Sequence, residues 1–347
     1  MTNSSLNHNP ILVEVYRAGV LESFHRGTIC VVNEAGEIVF SAGDVNQICY
    51  PRSAMKLLQV IPLLELGGME HFHFTLEEIA VMCGSHNAEP EHLRVVESIL
   101  NKIGATKDML RCGPQYPSYK KAADEFIKTG TKPHHIHNNC SGKHAGMLAL
   151  CKLLNYSTYN YLEPEHPIQQ LIKKTCAAFY AYEESNMVTA LDGCSAPIFS
   201  IPVYHQAVAY KNLVSMKNHS AARAKACQTV VEAVSTYPFL VAGSGRYCTD
   251  MMRITAPHII GKTGAEGVFC MSFIKQKLGV CIKIDDGKML PQYNVAQALI
   301  EATGMFSAEE LAPLHHYAQE PLTNFNKLKT GEIKVRDGLF DAFRLPD

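Results

Sequence analysis

Apolar and polar residues alternate near both ends of the chain, which is the pattern of half-buried strands. Strands are predicted at residues 11–16, 27–32, 38–40, 267–274 and 278–284. The last two are separated only by Lys275-Gln276-Lys277, which predicts a hairpin.

The middle of the chain has the apolar spacing of helices. Helices are predicted at residues 54–66, 89–103, 142–154, 167–181, 203–216, 221–234 and 294–303, with Pro62 as a kink or end in the first. Thr75 and Glu78 have the spacing of a capping box at the start of a further helix.

This order of elements predicts an α+β fold whose terminal strands meet in one sheet around a mainly helical middle. We expect the sheet at about 10–45 and 260–285 and the helical part at about 50–235. No linker-like stretch divides the chain, so 1–347 is predicted to be a single catalytic domain.

Composition and charge narrow the range of functions. The net charge is -1 and the basic residues are scattered, so we expect neither a nucleic-acid partner nor an anionic membrane surface. A small, neutral or zwitterionic substrate fits this balance. The polar first ten residues and the twelve single cysteines, with no C-x-x-C pair, predict a cytoplasmic protein with reduced thiols.

Ser53-Ala-Met-Lys56 offers a nucleophile and a base for amide hydrolysis. Positions i and i+3 of a helix share one face, so the amine of Lys56 can reach the Ser53 hydroxyl. Serines at 118 and 272 also fit S-x-x-K. Only Ser53 follows a strand and a loop and opens a helix, and this context singles it out.

Penicillin-recognising enzymes combine S-x-x-K with S-x-N and K-T-G in that order. Ser85-His86-Asn87 and Lys262-Thr263-Gly264 complete the order here. K-T-G also begins at Lys128 and Lys329. Lys262 is the best placed, ahead of an apolar strand, although the pattern alone slightly favours a solvated lysine in a turn.

Two cysteines, Cys140 and Cys194, lie among small polar residues. Thiolates are good zinc ligands, but this spacing matches no known finger or ribbon, so the residues alone favour two buried thiols. A rival interpretation makes Cys140 a nucleophile with His144 one turn away. In the segment 241–246 we predict a tight turn that presents backbone N–H groups and Arg246 to a substrate carboxylate.

Taken together, these segments resemble the thermolabile, Rhizobium-type L-asparaginase II family. The resemblance is carried by residues 50–56, 84–86, 89–92, 140–147, 191–197, 241–246 and 262–268, in this order. It implies a fold related to serine β-lactamases and glutaminases, and a homodimer. One feature departs from the family pattern: Asn87-Ala88 stands where small residues including glycine are expected, which leaves the shape of that loop open.

The resemblance also implies the residues of the site. The catalytic set is two serine–lysine tandems, Ser53 with Lys56 and Ser85 with Lys262. A zinc ion is implied on Cys140, Lys143 and Cys194. Substrate contacts are predicted at Arg52, His86, Asp192, Gly245 and Arg246.

The predicted activity is hydrolysis of L-asparagine to L-aspartate and ammonia through an acyl-enzyme on Ser53. A serine-dependent glutaminase or a β-lactam-recognising hydrolase is the nearest alternative. An amino-acid-binding protein without turnover and a zinc-dependent hydrolase are the others.

Overall fold

The computed structural model describes residues 9–346, except the side chain of residue 320. The prediction of a cytoplasmic location rests partly on residues 1–8, which lie outside this range. The chain forms two compact units that interleave along the sequence. Unit 1 contains the residues up to Ala54, then Ile201–Ser215, then those from Ile254 onward; unit 2 contains Met55–Ser200 and Met216–Arg253.

Twelve strands lie in the described part of the chain. They are β1 (Ile11–Arg17), β2 (Val20–Val32), β3 (Ile38–Ala42), β4 (Ile48–Cys49), β5 (Thr189–Leu191), β6 (Pro197–Phe199), β7 (Ile201–Pro202), β8 (Ile259–Gly264), β9 (Val268–Phe273), β10 (Leu278–Ile284), β11 (Gln319–Thr323) and β12 (Lys329–Val335). All five predicted strands are confirmed, and so is the hairpin of β9 and β10. The sequence pattern missed the seven strands β4 to β8, β11 and β12, and also the exposed first half of β2.

Fifteen α-helices lie in the same range. They are α1 (Lys56–Gln59), α2 (Ile61–Glu65), α3 (Gly68–Phe72), α4 (Leu76–Met82), α5 (Pro90–Lys102), α6 (Lys120–Thr129), α7 (Ser141–Leu153), α8 (Pro167–Tyr180), α9 (Val203–Ser215), α10 (Ala221–Thr236), α11 (Pro238–Val241), α12 (Tyr247–Ile254), α13 (Met289–Ala302), α14 (Ala308–Leu311) and α15 (His315–Ala318). The helix predicted at 54–66 is divided at Val60 into α1 and α2. Pro62 therefore lies in the first turn of α2, where its missing N–H costs no hydrogen bond.

The large sheet belongs to unit 1 and joins strands from both ends of the chain, as predicted. Its order is β11-β12-β1-β2-β10-β9-β8, and β3 pairs with β2 beside this path. Helices α9 and α13 pack on it. Ser272 of β9 donates a hydrogen bond to Tyr210 O of α9, whereas Phe269 of β9 contacts the ring of Tyr293 of α13. Residues 269 and 272 point to opposite faces of a strand, so the two helices cover opposite faces of the sheet.

Unit 2 is mainly helical, and α7 lies at its centre. This helix packs against α2, α4, α5 and α8, and every residue from Ser141 to Cys151 is buried. The predicted capping box is confirmed at the start of α4, where Thr75 accepts a hydrogen bond from the backbone N–H of Glu78 and donates its own N–H to the Glu78 carboxylate. Because α7 begins at the segment 139–141, this packing fixes the backbone next to Cys140.

Within residues 9–346, none of the helices has the length and apolar character that crossing a bilayer requires.

Candidate active site

Lys56 and Ser85 form a buried polar pair in unit 2. Lys56 opens α1 and is 0% exposed. Its Nζ donates hydrogen bonds to Ser85 Oγ at 2.8 Å and to Gly84 O at 2.7 Å. Both acceptors are neutral oxygens, so the lysine amine is directed at a serine hydroxyl rather than compensated by a carboxylate. A serine and a lysine in this relation can exchange a proton.

The loop that carries Ser85 is held by its own backbone. The N–H of Ser85 donates to Val241 O at 2.8 Å, and the N–H of His86 donates to Asn139 O at 3.1 Å. The loop is therefore fastened both to the end of α11 and to the segment that precedes α7. This attachment fixes where the Ser85 hydroxyl meets Lys56.

His86, which the sequence predicts as a substrate contact, is turned into the protein. Its ring is 1% exposed, its Nε2 lies 2.9 Å from Ser141 Oγ, and its Nδ1 accepts a hydrogen bond from Ala88 N. Burial, followed by the charge of nearby His92, lowers the pKa of His86 well below its usual value, so the ring is neutral. In this arrangement the ring supports the loop that carries Ser85.

Ser53 lies in unit 1, in a 3-10 turn over Arg52–Met55. It is half-buried, and it follows Arg52, whose φ of 52° is in the left-handed region. The phenol of Tyr210 donates a hydrogen bond to Ala54 O at 2.8 Å. Arg52 lies near Glu266, with Nη1 and Oε1 3.8 Å apart. A left-handed conformation in a residue other than glycine is unfavourable and persists only where its surroundings hold it.

Lys262 lies within β8 of unit 1 rather than in a solvated turn. It is 1% exposed, and its Nζ donates a hydrogen bond to Thr263 O at 2.9 Å. The lysines of the other two K-T-G matches, Lys128 on α6 and Lys329 on β12, are both exposed. Burial thus separates Lys262 from its two sequence rivals. The sequence pattern slightly favoured a solvated position in a turn for Lys262, and this was wrong. The pattern did not indicate β8, the buried strand that contains Lys262.

Gly264, the last residue of β8, allows the strand to approach the segment before Ser53. A Cβ on this residue would lie 2.3 Å from Pro51 O, closer than any real contact. We therefore expect Gly264→Ala to lower the free energy of unfolding by about 2 kcal/mol and to reduce catalytic turnover, since Pro51 precedes the turn that carries Ser53. Denaturant titration and steady-state kinetics measure the two effects. Gly193→Ala is the control for stability, because a Cβ there meets no atom within 4 Å.

Cys140, Lys143 and Cys194 converge in unit 2. Lys143 Nζ lies 3.0 Å from Cys194 Sγ, and the thiols of Cys140 and Cys194 hydrogen-bond to each other. That bond from Cys140, together with the Lys143 ammonium, lowers the pKa of Cys194 to about 4. Cys194 is therefore a thiolate near neutral pH. The same hydrogen bond, followed by burial, raises the pKa of Cys140 to about 12.

These residues fit a soft metal ion in their chemistry. The sulfurs of Cys140 and Cys194 and the amine of Lys143 lie close together, and Cys194 is already a thiolate. Thiolates are the ligands that soft metal ions prefer. The Lys143 amine would have to release its proton to bind a metal. Burial favours that release, but Cys194, Cys140 and Asp192 oppose it and raise the pKa of Lys143 overall. Within residues 9–346, no group of three or more His, Cys, Asp or Glu side chains is arranged to hold a metal ion.

The rival nucleophile, Cys140 with His144, does not have the required geometry. His144 Nδ1 lies 2.7 Å from the hydroxyl of Tyr161, and Cys140 Sγ lies 3.0 Å from Asn139 Oδ1. The raised pKa of Cys140 also keeps it protonated. Neither residue activates the other.

The remaining predicted contacts lie in loops of unit 2. Arg246 is half-buried, Gly245 is exposed in the predicted tight turn with a φ of 64°, and Asp192 is half-buried. Sequence reasoning missed Ser141 and the role of Asn87, which accepts a hydrogen bond from Arg246. The available signal was that Asn87 departs from the family pattern.

Comparison with known proteins gives one strong match. The family model described as L-asparaginase II matches residues 13–335. A β-lactamase from Mycobacterium bovis is 14% identical with a TM-score of 0.38, and the match covers 84% of this chain and 95% of that one. Two structures of a protein named Mglu are each 12% identical, with TM-scores of 0.36 and 0.38; they cover 90% and 85% of this chain and 72% and 69% of theirs. A search of curated protein sequences found no significant match.

Proposed function

Because the chain belongs to the L-asparaginase II family, an amidohydrolase family, we propose that it hydrolyses L-asparagine to L-aspartate and ammonia through an acyl-enzyme on Ser53. The observation that carries the proposal is the hydrogen bond from Lys56 Nζ to Ser85 Oγ at 2.8 Å. It supports a proton relay, which amide hydrolysis needs in order to convert the departing nitrogen into ammonia.

The proposed reaction begins at Ser53. Lys56, three residues further along the chain, takes the hydroxyl proton as Ser53 Oγ attacks the side-chain amide carbon, which gives a tetrahedral intermediate. Lys56 then returns the proton through Ser85 Oγ to the amide nitrogen. The C–N bond breaks, ammonia leaves, and the acyl-enzyme ester remains. We assign the Lys262 ammonium to electrostatic support of this transfer.

Deacylation reverses these roles. A water molecule gives one proton to Lys56 and attacks the ester carbon, the bond to Ser53 Oγ breaks, and the serine recovers its proton while aspartate is released. Lys56 must be neutral at the start of each half-reaction. In the structure Lys56 is completely buried, and both of its hydrogen-bond acceptors are neutral oxygens.

Zinc is part of the proposal, held by Cys140, Lys143 and Cys194. A bound zinc would supply a Lewis acid that polarises an oxygen. We expect protein purified without added metal to contain about one zinc per chain by elemental analysis, and Cys140→Ser to lower that content several-fold because a serine hydroxyl is a poor ligand. Cys176→Ser, at a buried thiol with no metal partner, is the control and should keep its zinc. A metal-free wild type would contradict the assignment.

The function itself is tested by ammonia release from asparagine and glutamine and by nitrocefin hydrolysis. Higher kcat/KM with asparagine supports an asparaginase, and a preference for glutamine or nitrocefin supports one of the neighbouring activities. One methylene in a pocket shifts the preference by about 1–3 kcal/mol, so the ratio has to be measured on purified protein. Binding without turnover would show a silent amino-acid-binding protein.

Chelation tests the zinc-dependent alternative. Complete loss of activity after metal removal would indicate that zinc is essential to the reaction. Residual turnover with weaker substrate binding supports the serine mechanism with zinc in a supporting role.

The homodimer also belongs to the proposal, since the family resemblance implies it. Sedimentation velocity at several protein concentrations measures the mass of the particle. A monomer at all concentrations would contradict this part.

A further inference from the structure

Asn87 connects two loops of unit 2 through both ends of its side-chain amide. Its Oδ1 accepts a hydrogen bond from Arg246 Nη1 at 2.9 Å. Its Nδ2 donates to Ser244 O at 3.0 Å and to Glu89 Oε1 at 3.2 Å. The residue is 1% exposed, so the amide has one orientation, with its oxygen toward the guanidinium.

Glu89 holds the same turn from the other side. Its two carboxylate oxygens accept hydrogen bonds from Ser244 N and Ser244 Oγ, each at 2.8 Å. Gly243 permits this approach, because a Cβ there would lie 2.5 Å from Glu89 Oε1 and 2.6 Å from Asn87 Nδ2. The nearby carboxylate is therefore engaged with the turn and not with Arg246.

The hydrogen-bond partner of Arg246 in this arrangement is uncharged. Arg246 Nη1 donates to a neutral amide oxygen, and in the described part of the chain the arginine forms no ion pair with a carboxylate. A guanidinium has five N–H donors, so a half-buried one with a single neutral partner can still bind a carboxylate through two parallel hydrogen bonds.

Arg246 is linked to the loop that carries Ser85, the serine of the proposed proton relay. Asn87 is two residues beyond Ser85, and the N–H of Ser85 donates to Val241 O, at the start of the turn that ends with Arg246. The hydrogen bond from Arg246 Nη1 to Asn87 Oδ1 places the guanidinium beside that loop.

We propose that Asn87 is a positioning residue that orients Arg246 without neutralising it and thereby selects substrates with a free α-carboxylate. This inference rests on the proposed amidohydrolase function and deepens it. It also gives the departure from the family pattern a role: an asparagine provides an uncharged acceptor, which neither glycine nor aspartate does.

The test compares two substrates, L-asparagine and its α-amide, which lacks the carboxylate. Asn87→Asp places a competing carboxylate against Arg246, so KM for asparagine should rise about 10-fold or more while kcat changes little. Activity on the α-amide should change far less, and the preference for asparagine should fall by a similar factor. Asn160→Asp, at a half-buried loop residue bonded to Glu163, adds the same charge elsewhere and should leave both substrates unaffected.

A double-mutant cycle shows whether Asn87 acts through Arg246. In an Arg246→Leu background, Asn87→Asp should have no further effect on KM. If the aspartate variant does not fold, Asn87→Ala removes the acceptor without adding charge and should shift KM in the same direction by a smaller factor. Equal losses on both substrates, or the same loss in the Arg246→Leu background, would overturn the proposal.

Failure of the proposed function gives a different result. If the wild type hydrolyses neither substrate, calorimetric binding of L-aspartate replaces kinetics as the readout. Weaker binding by Asn87→Asp than by Asn160→Asp would then support the inference without the reaction. Equal binding by the two variants, or no binding by the wild type, would overturn it.

Discussion

Replacement of Ser53 by alanine is expected to lower kcat for asparagine by about 10^4-fold or more, because no acyl-enzyme can form without the nucleophile. The fold should persist, since Ser53 is half-buried and its removal leaves the packing around Ala54 in place. Ammonia release measures the activity, and a thermal melt measures the stability.

Ser118→Ala is the matched control, because Ser118 also precedes a lysine at i+3 but lies exposed in a loop. It should retain wild-type turnover. If Ser53→Ala keeps more than about one-hundredth of the activity while Ser118→Ala is unaffected, the acyl-enzyme on Ser53 is wrong.

Replacement of Lys56 by methionine is expected to lower kcat by about 10^3-fold, because it removes both the proposed base and the donor to Ser85 Oγ. Methionine has a similar length and removes a buried amine, so the loss of stability should be modest. Small primary amines should restore part of the turnover in Lys56→Ala, whose short side chain leaves room for them at this buried position. Such rescue is a sign of a missing base rather than of a damaged fold.

Lys283→Met is the matched control for this change. Lys283 is also buried, at 8% exposure, and its Nζ donates to the carbonyls of Glu266 and Ile284. It should lose stability without a comparable loss of kcat, and added amines should not help it. Equal loss of turnover in the two variants would argue against Lys56 as the base.

The sequence predicted the elements with a clear period and missed those without one. Strands β9 and β10 and the helices α5, α7 and α8 fall within a few residues of their predicted bounds. Strands β11 and β12 have mainly polar residues, and β12 also pairs with β1 near the other end of the chain, where Val13 lies opposite Val335. Hydrophobic spacing contains no information about such a pairing.

Motifs located candidate residues but not their contacts. The spacing argument assumed a regular α-helix through Ser53 and Lys56, whereas a 3-10 turn covers Arg52–Met55 and α1 begins only at Lys56. The hydrogen bond that forms joins Lys56 to Ser85, from the other predicted tandem. His86 was predicted to face substrate, but its ring contacts Ser141, a partner 55 residues away that no local pattern indicates. Of the three K-T-G lysines, Lys262 was already the best placed in the sequence, and it is the buried one in the structure.

The large sheet has a consequence for how the protein is made. Along one of its two edges, the apolar half of β2 pairs with β10, and Ile29 lies opposite Ile282. The ribosome adds Ile282 about 250 residues after Ile29. During synthesis of unit 2, the edge of β2 that later pairs with β10 has no partner strand. An unpaired apolar edge of this kind promotes aggregation. Nascent chains that stop before residue 278 should therefore depend on chaperones. A lower expression temperature should raise the yield of soluble protein more than changes to the surface of unit 2.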